Sequence, residues 1–221
     1  MSSILDVFLP TRCVVCGAGG GSICSPCEGS LKRLGLPLCE RCGAPTAWPV
    51  ERCRECSGRR IAFAHARAAV AYDEAAKRLV GAWKERGQRS LSRIAAEIVD
   101  GVLARPDAYT LTFVPADDNR FLERAHNPAE RLASELGRSW QLPVVALLRR
   151  KPGAARQRGL TLAERRRNVR GLFHATGPAP RAVVLVDDVY TSGATVSAAA
   201  TALRKAGARR VEVVTFARAV R

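Results

Sequence analysis

Apolar residues in this chain gather into short runs of β-formers, and these alternate with longer segments in which they recur at helical spacing. From about Phe63 to Tyr72 the pattern is that of a strand. Asp73 can cap a helix reaching about Glu85, with Leu79, Val80 and Trp83 on its apolar side and Gly87 at its end. Ser90 is placed to cap a second helix, Leu91 to Leu103, closed by Arg105, Pro106 and Asp107. Tyr109 to Val114 predicts a strand stopped by Pro115, Pro128 to Trp140 a helix, and Val144 to Leu148 a further strand. Val183 to Val186 reads as a buried strand, Ser197 to Lys205 as an alanine-rich helix, and Val211 to Phe216 as the strand that completes the sheet. Strands followed repeatedly by helices predict an α/β fold, a mostly parallel sheet flanked by helices.

The first sixty or so residues obey another rule. After a short apolar lead-in, residues 4 to 10, come four CxxC pairs that hold all eight cysteines: Cys13 with Cys16, Cys24 with Cys27, Cys39 with Cys42, and Cys53 with Cys56. Two residues between thiols let both reach one metal from a tight turn, and eight thiolates supply two tetrahedral all-sulfur sites, for which zinc is the expected ion. Disulfides do not suit a chain with no secretory signal pattern, and a thioredoxin-like redox pair would have to follow a strand in an α/β unit. The spacings are also not those of the bacterial ferredoxin run of iron–sulfur ligands. Spacing leaves sequential and interleaved pairing of the cysteines both open. A module this poor in large apolar groups needs its metal to fold, and all-thiolate zinc has no open position for water, so its role is structural. The expected division is a zinc module over residues 1–58 and an α/β domain over 59–221, with Ser57 to Arg60 as the hinge.

Composition narrows the partners. The 221 residues are 47% hydrophobic and 25% charged, which is globular and not disordered. No apolar run reaches about 18 residues, so no membrane span is predicted, and the cytoplasm is the expected compartment. The formal net charge is +16, and two zinc-thiolate sites would lower it only to about +12, a field that draws polyanions such as nucleic acid or phosphorylated nucleotides. Much of the excess lies between Arg149 and Arg170, where nine Lys and Arg residues face one acid, Glu164, in a segment bearing Gly153 and Gly159. Such a loop is suited to fold over a site and exclude water.

The densest chemistry is in residues 183 to 195, Val-Val-Leu-Val-Asp-Asp-Val-Tyr-Thr-Ser-Gly-Ala-Thr. Ligands of open α/β sheets sit at the carboxyl ends of strands, and here Asp187 and Asp188 stand at that end. Thr191, Ser192, Gly193, Ala194 and Thr195 then offer hydroxyls and backbone amides at a helix start, a phosphate cradle. The acids would repel that phosphate and instead suit sugar hydroxyls or a cation. A pentose 5′-phosphate meets both demands. Neither GxxxxGK[ST] nor GxGxxG occurs, so nucleotide sites of those kinds have no support. If pyrophosphate leaves from such a ribose, donors and cations are needed where its charge develops, and the backbone after Val114 and Pro115, with Arg120, Arg124 and Asn127, could supply them.

Residues 183 to 195 resemble the phosphoribosyl-pyrophosphate (PRPP) signature of type I phosphoribosyltransferases, with Ser192 in place of the more frequent threonine. The whole chain, with its cysteine-rich front, resembles the ComF (ComFC) family of competence-associated proteins. That resemblance implies a double zinc ribbon, hence sequential pairing of the cysteines, and two structural zinc ions. It implies Mg²⁺ with PRPP as the ligand, with Asp187 and Asp188 on the ribose and residues 191 to 195 on the 5′-phosphate. The family pattern V-P-x-x-x-x-R-x-x-x-R-G-F-N-Q is similar to Val114, Pro115, Arg120, Arg124 and Asn127, with Ala125, His126 and Pro128 at the Gly, Phe and Gln positions. Gln157, Leu160, Arg165 or Arg166, Asn168 and Phe173 are similar to the downstream family pattern, and Lys84 matches the family lysine after the first helix. The role implied is in DNA uptake during natural transformation, on single-stranded DNA beside a helicase-like partner, with the phosphoribosyl acceptor unspecified. Two other readings accompany it: a non-catalytic DNA-binding or PRPP-sensing module, and a nucleobase salvage enzyme.

Overall fold

The structure is a computed structural model that describes residues 12–84, 88, 90–116, 126–151 and 171–220. A short helix α1 (Ser25–Gly29) belongs to the cysteine-rich front, and β1 (His65–Ala71), α2 (Glu74–Lys84), α3 (Leu91–Val102), β2 (Thr110–Phe113) and α4 (Pro128–Trp140) follow. β3 (Leu148–Arg150), β4 (Phe173–Ala175), β5 (Ala182–Tyr190), α5 (Ala194–Lys205) and β6 (Arg210–Arg218) complete the chain. Four strands form one parallel sheet in the order β1-β6-β5-β2.

The two central strands, β5 and β6, are covered on both faces, which is why β5 opens on the unbroken apolar run Val183 to Val186 and β6 is buried from Val211 to Arg218, Glu212 and Thr215 included. Val184, Val186, Val214 and Phe216 face α2, α3 and α4, where Leu79, Trp83, Leu132 and Trp140 share the core. Val183, Leu185, Val211 and Val213 face α5 and the β3-β4 pair, and the cysteines Cys39, Cys42 and Cys56 are part of that same core. The front module thus packs into the α/β domain. It also lies along the sheet edge: Leu34 donates its N–H to the Ala69 carbonyl at 2.9 Å and Ala71 to Lys32 at 2.8 Å, so this linker runs antiparallel beside β1.

Several sequence expectations are revised. The strand predicted at Val144 to Leu148 is divided: Val144 bridges Leu111 in parallel beside β2, whereas Leu148 starts β3, which pairs antiparallel with β4. The chain leaves the main sheet between them. Ser90 occupies the N-cap of α3 but in helical conformation and with no side-chain cap bond; Asp73, by contrast, accepts from the Ala76 N–H at 3.1 Å and caps α2 as expected. α5 begins at Ala194 and not Ser197, because Gly193 takes φ 70° and turns the chain straight into the helix. The end of α2 at Glu85 and Gly87, and the lead-in at residues 4 to 10, lie outside the described residues.

Candidate functional site

At the carboxyl end of β5, Asp188 is 7% exposed and Asp187 is half-buried. Asp187 accepts the N–H of Asp188 on Oδ1 at 2.9 Å. Asp188 meets Lys84 from the last turn of α2, Nζ to Oδ2 at 2.5 Å. The lysine after the first helix and the second acid are therefore one ion pair, formed because β5 and α2 present their C-terminal ends at the same rim of the sheet. In the turn beyond, the Ala194 N–H reaches Ser192 Oγ at 3.4 Å, and the first amides of α5 lack intrahelical acceptors by helix geometry. Thr191 is exposed, Ser192 and Thr195 are half-buried, and Gly193 and Ala194 are buried.

On the neighbouring strand, the Val114 N–H donates to the Val186 carbonyl at 3.0 Å, so Val114 and Pro115 stand beside the acids at the same rim. Asn127 closes the segment that follows. Its Nδ2 donates to the Val114 carbonyl at 3.0 Å and its Oδ1 accepts from the Ala129 N–H at 3.1 Å, capping α4. His126 is buried and its Nε2 donates to the Trp83 carbonyl at 3.1 Å, pinning the same segment to the end of α2. Arg120, Arg124 and Gln157 lie outside the described residues, as do residues 152–170 of the basic segment.

The eight cysteines form two groups, Cys13, Cys16, Cys24 and Cys27, and Cys39, Cys42, Cys53 and Cys56, each with its sulfurs within 4.8 Å of one another. Four converging thiols with no other polar demand fit a zinc ion in each. Although burial opposes it, backbone amides of Cys42 and Cys53 hold the Cys39 thiol down at about 7, while burial pushes Cys42 up to about 11. In the first group, burial again works against ionisation of Cys13, but the amides of Cys16 and Cys24 outweigh it and bring that thiol to about 6. The neighbouring thiols Cys24 and Cys16 push Cys27 up to about 12. Four thiolates at this distance repel, and a divalent cation removes the conflict.

Residues not anticipated from the sequence join the second group to the turn at residues 191–195. Arg59 donates Nη1 to the Glu55 carbonyl at 3.1 Å and Nη2 to the Ser192 carbonyl at 2.8 Å, so the expected hinge is bolted on both sides. Arg218, 1% exposed at the end of β6, donates to the Cys42 carbonyl and, at 3.0 Å, to Glu55 Oε2. Its guanidinium lies 4.9 Å from the centre of the Tyr190 ring, and burial raises the Tyr190 phenol well above its ordinary value. A charged residue closing a buried strand at the rim that carries the paired acids was the available signal for Arg218. A Cβ on Gly193 would overlap the Tyr190 hydroxyl, and φ there is +70°. Gly193→Ala is accordingly expected to cost about 1–3 kcal/mol in denaturant unfolding, a value above that of an ordinary exposed glycine.

A family model described as a double zinc ribbon domain matches residues 4–57, and a phosphoribosyl transferase domain model matches residues 122–220. Competence protein F of Haemophilus influenzae is 27% identical over 230 residues, covering 96% of this chain and 99% of that protein. Competence protein ComFC of Streptococcus pneumoniae is 24% identical over 89% of this chain and 87% of its own. The DNA utilization protein YhgH of Salmonella typhimurium is 27% identical over 86% of this chain and 88% of its own. Two four-cysteine groups, a parallel sheet with paired acids at its rim, and relatives that align nearly end to end place this chain among the homologues of the ComF/ComFC competence proteins, built from a double zinc ribbon and a phosphoribosyltransferase domain.

Proposed function

We propose that this chain binds Mg²⁺-PRPP, or a related 5-phosphoribosyl ligand, at the rim formed by β5, β2 and α2, and that it does so in the handling of DNA. The observation that carries the reading is the placement of two carboxylates, one buried, directly before a glycine-bearing turn that opens a helix. Asp187 and Asp188 accept the ribose hydroxyls. The hydroxyls and amides of residues 191 to 195 take the 5′-phosphate, aided by the positive end of the helix. Lys84, 2.5 Å from Asp188 Oδ2, holds that carboxylate in place for the sugar. Val114 and Pro115 offer backbone to the pyrophosphate, and Asn127 fixes that segment at its far end. Arg120, Arg124 and Gln157 are proposed to meet the charge that develops on the leaving pyrophosphate, which Mg²⁺ neutralises when bound.

The DNA role is proposed from the names of the relatives, competence and DNA utilization proteins, together with the formal charge of +16. Single-stranded DNA and a helicase-like competence protein are the partners this reading supplies. Among the described residues no helix is long and apolar enough to cross a membrane. Calorimetric titration of the zinc-loaded chain with PRPP and Mg²⁺ is the direct test: saturable binding at one site per chain is expected, and its absence at millimolar ligand would remove the reading. Pyrophosphate release in the same samples, with and without candidate acceptors, reports turnover separately.

A further inference from the structure

Arg59 and Ser192 are 133 residues apart in the chain, yet the Arg59 guanidinium spans the second cysteine group and the phosphate turn together. On one side it holds the carbonyl of Glu55, inside the Cys53–Cys56 turn that would carry the metal; on the other it holds the carbonyl of Ser192. A peptide group is planar and trans, so fixing the Ser192 carbonyl also fixes the Gly193 N–H, which points the opposite way from the same plane. Arg218 makes a second link. It grips the Cys42 carbonyl in the other metal-binding turn and the Glu55 side chain, and lies over the Tyr190 ring. Tyr190 in turn sits hard against Gly193, its hydroxyl buried and without a hydrogen bond among the described residues. The first cysteine group meets the domain through another element, α2, where Arg78 donates to the Val15 carbonyl at 2.8 Å.

From these contacts we propose that the second four-cysteine site is the foundation that aims the phosphate turn, with Arg59 and Arg218 as positioning residues, so that 5′-phosphate affinity is linked to the metal at Cys39, Cys42, Cys53 and Cys56 and not to the metal at the first site. The proposal rests on the phosphoribosyl reading for its ligand but on the Arg59 and Arg218 contacts for its mechanism. Linkage is reciprocal: a ligand whose binding depends on a metal must also retain that metal more firmly.

The test uses the full chain with both zinc ions bound, and ribose 5-phosphate as the probe. Arg59→Gln, at a half-buried and not a core position, is expected to keep both zinc ions and a cooperative melt while its affinity for ribose 5-phosphate falls roughly tenfold, the scale of one lost charge-assisted hydrogen bond. Zinc release to a chromogenic chelator is expected in two phases, the fast one from the group containing the exposed Cys16 and assigned by its loss in Cys16→Ser. Ribose 5-phosphate should slow only the slow phase in the unaltered chain, and should slow neither in Arg59→Gln. Equal affinity in the variant, or equal protection of both phases, would overturn the proposal. Should the unaltered chain bind no ribose 5-phosphate, the ligand reading fails, and amide exchange decides the mechanism alone: Gly193 and Ala194 are expected to exchange faster in Arg59→Gln with both metals in place, and unchanged exchange would overturn it.

Discussion

Cys56→Ser is expected to cost about 4 kcal/mol or more and to carry the α/β domain down with the metal site. Cys56 is 0% exposed and belongs, with Cys39 and Cys42, to the core that also contains Val183, Leu185 and Leu203. Burial, then the neighbouring Cys39 sulfur, pushes the Cys56 thiol far above its ordinary value, so only a cation makes its thiolate stable there. Serine removes a ligand and leaves a buried hydroxyl beside sulfurs with no ion to share. A domain of this size has a total stability of about 5–15 kcal/mol, so the loss is a large fraction of it. Cys16→Ser is expected to be milder, because Cys16 is exposed, while partly buried neighbours in its group, Val14 and Ile23, pack against the core. Denaturant unfolding followed by tryptophan fluorescence, with zinc content measured alongside, compares them. A Cys56→Ser chain that melts like the parent, or a Cys16→Ser chain that suffers more, would contradict the assignment of the second site to the shared core.

The double variant Asp187→Asn, Asp188→Asn is expected to lower affinity for Mg²⁺-PRPP by at least roughly a hundredfold, two charge-assisted hydrogen bonds being lost together. The loss has a second source. Lys84, 2.5 Å from Asp188 and with about a quarter of its side chain exposed, no longer has that carboxylate to position it. Lys84→Met separates the two: it should weaken the ligand less than the double variant does, since the acids remain. Single-stranded oligonucleotide, which on the proposed reading would be held by the basic surface, is expected to bind the acid variant and the parent with the same affinity and salt slope. Parallel loss of oligonucleotide binding would mean that the acids serve the whole fold and not a sugar.

The elements that could be read from the sequence are those whose signal is local. The apolar run Val183 to Val186 located β5, the β-formers of 211–216 located β6, and helical spacing put Trp83 on an apolar face, which is in the core. The acids, the turn and the four CxxC pairs were legible because each compresses its chemistry into a few neighbouring residues. Failures occurred where geometry overrode pattern. Val144 to Leu148 is uniformly apolar, but the ladder beside β2 and the ladder beside β4 divide it. Ser90 has a capping side chain but a helical backbone, which turns the hydroxyl away from that role. Ser57 to Arg60 has the composition of a hinge, and Arg59 fastens it across a separation that no window of sequence reveals. Contacts of that kind, like Arg218 to Cys42, exist only once both ends have folded.

The strip of chain at 32 to 34 that lies along β1 is flanked by Cys27 and Cys39, one ligand from each metal group. At the opposite margin, Leu111 donates to Pro143 at 2.9 Å and accepts from Val145 at 2.9 Å, so that border is covered as well. An uncovered β margin is a template for a foreign strand. Chelation would therefore do more than loosen a knuckle: it would peel away the guard on β1 and bare a row of peptide groups to other copies, making zinc a safeguard against aggregation as well as a support of shape.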